Sequence, residues 1–194
     1  MTLTKNDLLS LEEYSIRRQE FKAQVSNHKK NRRVSLNQHA RLYFEDELTI
    51  RYQIQEMLRI EKVFEPEGIQ DELDAYNPLI PNGSNLKATF MLEYEDAELR
   101  KIKLSKLVGV EDQVWIQVRG YEKVYAIADE DLKRENDEKT SSVHFMRFEL
   151  SAEMINTLRQ TQSLTAGCDH LNLPIASLKL PVETVAALTE DLTS

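Results

Sequence analysis

Apolar residues recur at three- and four-residue steps over the start of the chain, at Leu8, Leu11, Tyr14, Phe21 and Val25. That spacing predicts one helix, capped by Asp7 and running to about His28. From Arg33 to Glu45 the pattern changes to alternation, which predicts a strand with Val34, Leu36, Leu42 and Phe44 inward and a bend near Asn37–His39. Asp46 can cap a second helix, roughly Leu48 to Phe64, whose apolar arc is Ile50, Ile54, Met57, Leu58, Ile60 and Phe64. Pro66 and Gly68 end it. A short helix over Ile69–Tyr76 is stopped by the turn signals Asn77-Pro78 and Pro81-Asn-Gly83.

Beyond that point, Leu86–Tyr94 predicts a strand apolar on both faces, and Asp96–Leu107 a helix with Gly109 just past its end. Val114–Val118 and Lys123–Ile127 flank Gly120 and predict a hairpin. Asp129–Lys139 is charged and predicts an exposed loop. Ser142–Leu150 alternates as a strand, Ser151 caps a helix to about Gln160, and His170–Leu173 predicts a short edge strand. Pro181 opens a last helix with Val182, Val185, Ala186 and Leu188 on one side. Strands punctuated irregularly by helices favour an α+β fold with an antiparallel or mixed sheet. The expected organisation is a single domain over residues 1–194: an N-terminal helix at 7–28, sheet and helices at 33–173, and a C-terminal helix at 181–192.

Composition narrows the function classes. Hydrophobic residues make up 41% and charged residues 30%, a globular balance rather than a disordered one. No apolar run approaches the ~18 residues needed to span a bilayer, and the first residues carry no secretory signal, so a cytoplasmic protein is expected. Cys168 is the only cysteine, which excludes an intrachain disulfide and a Cys-rich zinc or iron–sulfur site. The net charge of −8 is uneven. Residues 1–64 hold 12 Lys/Arg against 9 Asp/Glu, while residues 65–194 hold 13 against 24. The basic peak Lys29-Lys-Asn-Arg-Arg33 is short and poor in aromatics, and an acidic remainder repels nucleic acid, so no nucleic-acid partner is expected.

Polar chemistry concentrates on the second helix. Arg51, Gln55 and Arg59 share one stripe, and two guanidiniums with an amide between them suit a phosphate or carboxylate. Solvated charge, or pairing with Glu47 and Glu56, is the plainer alternative. Glu61 falls inside the apolar arc, where a carboxylate needs a cation or donors. Arg33, Arg41 and Arg147 are candidate structural partners. As a catalytic candidate it would be joined by His144. Tyr76 and Asn77, held by the proline-rich turn, are candidates to rim a pocket. The four histidines lack metal-ligand spacing, which leaves His144 and His170 as weak metal candidates and no predicted cofactor. Cys168 has no basic neighbour and reads as an inert thiol. The five glycines form no phosphate loop, and GxSxG is absent.

Three blocks, Arg51-Tyr-Gln-Ile-Gln-Glu-Met-Leu-Arg59, Glu72-Leu-Asp-Ala-Tyr-Asn-Pro-Leu-Ile-Pro81 and Leu86-Lys-Ala-Thr-Phe-Met-Leu-Glu93, resemble the bacterial family called domain of unknown function 3501. So do Val114-Trp-Ile-Gln-Val118 and Lys139-Thr-Ser-Ser-Val-His-Phe-Met-Arg-Phe148. The resemblance runs in order along the chain. It carries no catalytic residues. It implies a bacterial accessory protein in a redox or peroxide-defence setting, with a rubrerythrin-like protein or an iron–sulfur oxidoreductase subunit as possible partner. The residues themselves favour a non-catalytic protein binding a partner or a small anionic ligand. The alternatives are an enzyme using Arg51, Gln55, Arg59, Glu61 and His144 on a small anionic substrate, and a mononuclear metal protein.

Overall fold

A computed structural model describes residues 2–130 and 139–193. Two antiparallel sheets organise the chain. The first has five strands in the order β1-β2-β3-β7-β6, and the second four in the order β5-β4-β8-β9. The first sheet comprises β1 (Arg33–Ser35), β2 (Ala40–Glu45), β3 (Asn85–Leu92), β6 (Ile127–Ala128) and β7 (Val143–Glu149). The second comprises β4 (Val114–Val118), β5 (Val124–Tyr125), β8 (Leu164–Cys168) and β9 (Ile175–Lys179). Alternation decides which side chains face inward. Leu42 and Phe44 on β2, Leu86 and Phe90 on β3, and Met146 and Phe148 on β7 join Ile116 and Val118 of β4 in one buried cluster. The sheets meet where the chain passes from β5 through buried Ala126 into β6.

Helices α5 (Ala152–Thr161) and α6 (Val182–Thr189) complete this core with Ile155, Leu158, Val185 and Leu188. A separate helical layer is formed by α1 (Leu11–His28), α2 (Glu47–Glu61) and α3 (Pro66–Tyr76). It has its own small cluster, centred on Ile50, Ile54, Leu58 and Leu73. The remaining helix, α4 (Ala97–Leu104), follows β3.

The structure corrects several expectations. The first long helix begins at Leu11, not near Asp7, because Ser10 and Glu13 form a reciprocal capping box, and Asp7 instead closes a short 3-10 turn over Lys5–Asp7. The expected 33–45 strand is two strands joined through the bend at 36–39. His170–Leu173 is not a strand, whereas Leu164–Cys168 and Ile175–Lys179 are. Ile60 and Phe64 are exposed and Glu61 is solvent-facing, so the apolar arc of α2 stops at Leu58. Lys62, in the left-handed region at φ 55°, ends the helix there. The expected Asp129–Lys139 loop falls largely outside the described residues. Among the described residues, no helix is long and apolar enough to cross a membrane.

Candidate functional site

Strand register builds the floor of the most chemically varied cleft. On the outward face of the five-stranded sheet, Lys87 of β3 stands directly opposite Arg147 of β7, and Thr89 opposite Phe145. Two cations side by side repel unless something neutralises them. Arg147 is neutralised. Its Nε and Nη2 donate to the two carboxylate oxygens of Glu130 at 2.8 Å each, and its Nη1 donates to Glu149 at 2.5 Å. Glu149 also accepts from Asn85 Nδ2 at 2.8 Å.

Lys87 receives no such partner. Its cross-strand neighbour Glu45 is engaged by Thr49 and Thr89 at 2.6 and 2.7 Å. Among the described residues, no side chain or carbonyl hydrogen-bonds the half-buried ammonium group. Desolvation, with the Arg147 charge added, lowers its pKa.

The roof is α3 and the 3-10 turn Asn77–Leu79 that follows it. Pro66 starts α3 at its first turn, where the missing N–H costs nothing, and Pro78 stiffens the exit. The enclosed space is about 340 Å³, with Glu72, Tyr76 and Leu79 above, Lys87 and Phe145 below, and Met57 of α2 at its side. An adjoining cleft of about 480 Å³ shares Lys87, Glu130 and Arg147 and continues past Asn77 and Asn82. Burial raises the pKa of the Glu72 carboxyl, and the negative charges of Glu61 and Asp71 add to the shift. Burial also raises that of the Tyr76 phenol. Chemically, the cleft offers a cation, hydrogen-bond donors and an apolar wall formed by Met57, Leu79 and Phe145.

The residues singled out on α2 are spent elsewhere. Gln55 is only 1% exposed. Its Oε1 accepts from the Leu9 N–H at 2.6 Å, and its Nε2 donates to the Leu9 carbonyl at 3.3 Å. Asn77 makes the same two-bond clasp on Leu3, at 2.8 and 2.9 Å. Arg51 lies over the Phe21 ring at 5.5 Å and lines a smaller pocket, about 140 Å³, with Arg17, Glu20 and Asp7. Arg59 leans on Glu56 at 3.4 Å. Glu56 accepts from Arg18 at 2.7 and 2.8 Å and from the Tyr14 hydroxyl at 2.7 Å.

Tyr76 therefore lines the cleft, whereas Arg51 and Gln55 face a different pocket and Asn77 clasps the N-terminal segment while bordering the adjoining cleft. Glu61, expected on the buried side with a cation partner, is exposed at the end of α2. His144 is fully buried in the sheet core, and His170 is exposed with its Nε2 3.2 Å from the Val108 carbonyl. Glu61, His144 and His170 do not converge. Cys168 is buried, and desolvation pushes its thiol up to about 11. Sequence reasoning passed over Lys87, Glu72 and Glu130. The available signal was a lysine inside an otherwise apolar strand, Leu86-Lys-Ala-Thr-Phe-Met91.

With this geometry in place, comparison with known proteins decides the family. The model of the family described as "Protein of unknown function (DUF3501)" matches residues 2–192. The chain belongs to that family. It is also similar to a protein from Burkholderia pseudomallei K96243, whose crystal structure is titled as that of a novel protein of unknown function. That similarity amounts to 53% identity over 100% of both chains, with a TM-score of 0.95. Comparison with curated proteins gave no match.

Proposed function

We propose that this DUF3501 protein is a non-catalytic binding protein whose cleft beneath α3 holds a small molecule with an anionic head and an apolar body. One observation carries the proposal: Lys87 is a half-buried cation with no hydrogen-bonded partner among the described residues, beside an Arg147 that already has its own. Taking a charge out of water is unfavourable unless an opposite charge compensates it. A carboxylate or phosphate on Lys87 supplies that compensation, while Met57, Leu79 and Phe145 receive the apolar part. Because burial lowers the pKa of Lys87, an anion that needs the ammonium form binds more weakly as pH rises through that lowered value.

The test is a thermal-shift panel of small carboxylates and phosphates on the wild type and on Lys87→Met, which keeps the stem and removes the charge. The expected result is that an anion raising the wild-type midpoint binds Lys87→Met on the order of 10- to 100-fold more weakly, the range of one lost charge-assisted hydrogen bond. Equal shifts in both proteins, or no shift from any anion, would refute it. The accessory setting implied by the resemblance, beside a rubrerythrin-like or iron–sulfur partner, belongs to this reading and is tested by co-purification from the native host. Failure to recover either partner removes the setting and leaves the cleft.

A second reading, catalysis on the same kind of anion, is favoured by Glu72, Tyr76 and Lys87 sharing one cleft with shifted proton affinities. It differs from an enzyme built on Arg51, Gln55, Arg59, Glu61 and His144, which the fold does not bring together. Chemical change of the bound anion on incubation with the protein separates the two.

A further inference from the structure

Deep in the sheet core, away from the cleft, His144 is surrounded by oxygen. It is the second residue of β7 and is 0% exposed. Its Nδ1 lies 2.6 Å from Asp129 Oδ2, whose other oxygen accepts the Phe145 N–H at 3.0 Å. Its Nε2 lies 3.0 Å from Thr140 Oγ1, 3.1 Å from the Ser141 carbonyl and 3.7 Å from Glu111 Oε2. Thr140 Oγ1 is itself 3.2 Å from that Glu111 oxygen. Glu111 comes from the 3-10 turn Glu111–Gln113 ahead of β4, so three separate segments contribute.

The hydrogen inventory of this group is informative. With Nδ1–H donating to Asp129, a neutral ring presents a lone pair at Nε2. That lone pair faces a carbonyl and a carboxylate, neither of which has a proton to give. The Thr140 hydroxyl has one proton, and it can serve Nε2 or Glu111 but not both. Clustered acceptors in a water-excluded place require a cation among them, either a second proton on the ring or a metal ion.

The distances favour the ion. A first-row divalent metal at ~2.0–2.2 Å from nitrogen and oxygen sets neighbouring donors roughly 3–3.5 Å apart. Three of the four separations here are 3.0–3.2 Å, and the fourth, 3.7 Å, ends on a carboxylate oxygen. Asp129 on the far nitrogen is the arrangement that fixes a metal-bound histidine in its ring orientation.

We propose that His144 Nε2 and Glu111 Oε2, completed by the Ser141 carbonyl and Thr140 Oγ1, hold a divalent first-row transition ion, with Asp129 positioning the imidazole. A nitrogen with hard oxygens suits zinc, manganese or ferrous iron rather than a thiolate-seeking ion. With all four donors from the chain and the ring inaccessible to solvent, the ion's role is structural: it ties the turn before β4 to the start of β7. This site is independent of the Lys87 cleft, so either proposal can fail alone.

The experiment is elemental analysis of untagged full-length protein purified without chelator, beside Glu111→Gln, Asp129→Asn and His170→Ala. Wild type and His170→Ala are expected to carry about one ion per chain. Glu111→Gln should retain little, and Asp129→Asn should bind added Co(II) on the order of 10- to 100-fold more weakly. Chelator-treated wild type guards against variants that fail to fold. Its melting temperature should drop and be restored by Zn(II), Mn(II) or Co(II) alone, and X-ray absorption of the Co(II) form should show one imidazole ligand. Wild type that lacks metal and whose melting temperature is unchanged by chelator would overturn the proposal in favour of a buried imidazolium. Equal metal in wild type and Glu111→Gln would overturn it as well.

Discussion

Two side-chain amides do the work of a missing strand. Gln55 and Asn77 each give and receive one hydrogen bond with a single backbone residue, Leu9 and Leu3 respectively, and so hold the segment ahead of α1 against α2 and α3. Replacing Gln55 by Leu keeps the volume and strands both backbone groups of Leu9. Urea unfolding should show a loss of about 1–3 kcal/mol, the cost of buried groups left without partners. An unchanged midpoint would mean that water reaches Leu9 freely. Sequence reading placed Gln55 on its stripe but assigned the stripe to solvent or ligand. A helical wheel gives direction, and it does not reveal a segment of chain lying across that direction. For the same reason Glu61 was expected inside: angle alone cannot show that packing on α2 stops one turn earlier, where Lys62 turns left-handed.

At the scale of elements, α1 and α2 are tied by one carboxylate. Arg18, Tyr14 and Arg59 all converge on Glu56, and with Arg18 as the main cause they hold its pKa at about 2 against an ordinary 4.5. A carboxyl whose folded pKa is depressed stabilises the fold above its unfolded value and loses that contribution as pH falls. Glu56→Gln should therefore melt below wild type at neutral pH, and the gap should close as pH falls from 4.5 toward 2. A gap constant across that window would show that shape, not charge, makes the tie.

The hairpin at 114–127 and the alternating strands were legible because turn residues and period-two patterns coincide there. Strand β8 was not. Leu164-Thr-Ala-Gly-Cys168 is made of small residues buried on both faces, so it shows no alternation. Gly167 is required where the Trp115 ring crosses it, since a Cβ there would meet ring carbon Cζ2 at 2.3 Å. That constraint arises from a partner 52 residues away in the chain and leaves no local mark. The cleft was half legible. Tyr76 stood out by its prolines, but Lys87 and Arg147 become neighbours only through the β3–β7 register.

At the scale of the molecule, Arg32 joins the first and last parts of the chain. It is 3% exposed, bonds Asp191 at 2.7 and 2.8 Å, and lies 3.0 Å from Asp46. Burial alone would push the Asp191 carboxyl up, and the arginine works against that. Arg32→Met should cost about 3–5 kcal/mol in chemical unfolding, because it abandons buried carboxylates rather than merely deleting a contact. A loss below about 1 kcal/mol would place the pair among weak surface bridges. The central claim concerns the cleft between the helical layer and the sheet. It is tested most directly by methyl NMR of methionine-labelled protein titrated with the anion that raises the melting point, since Met57 lines the cleft whereas Met91 and Met154 are not among its lining residues. The account predicts that the Met57 methyl resonance moves in wild type, stays still in Lys87→Met, and moves without Met91 or Met154. Movement of Met91 or Met154 with Met57 unchanged would contradict it.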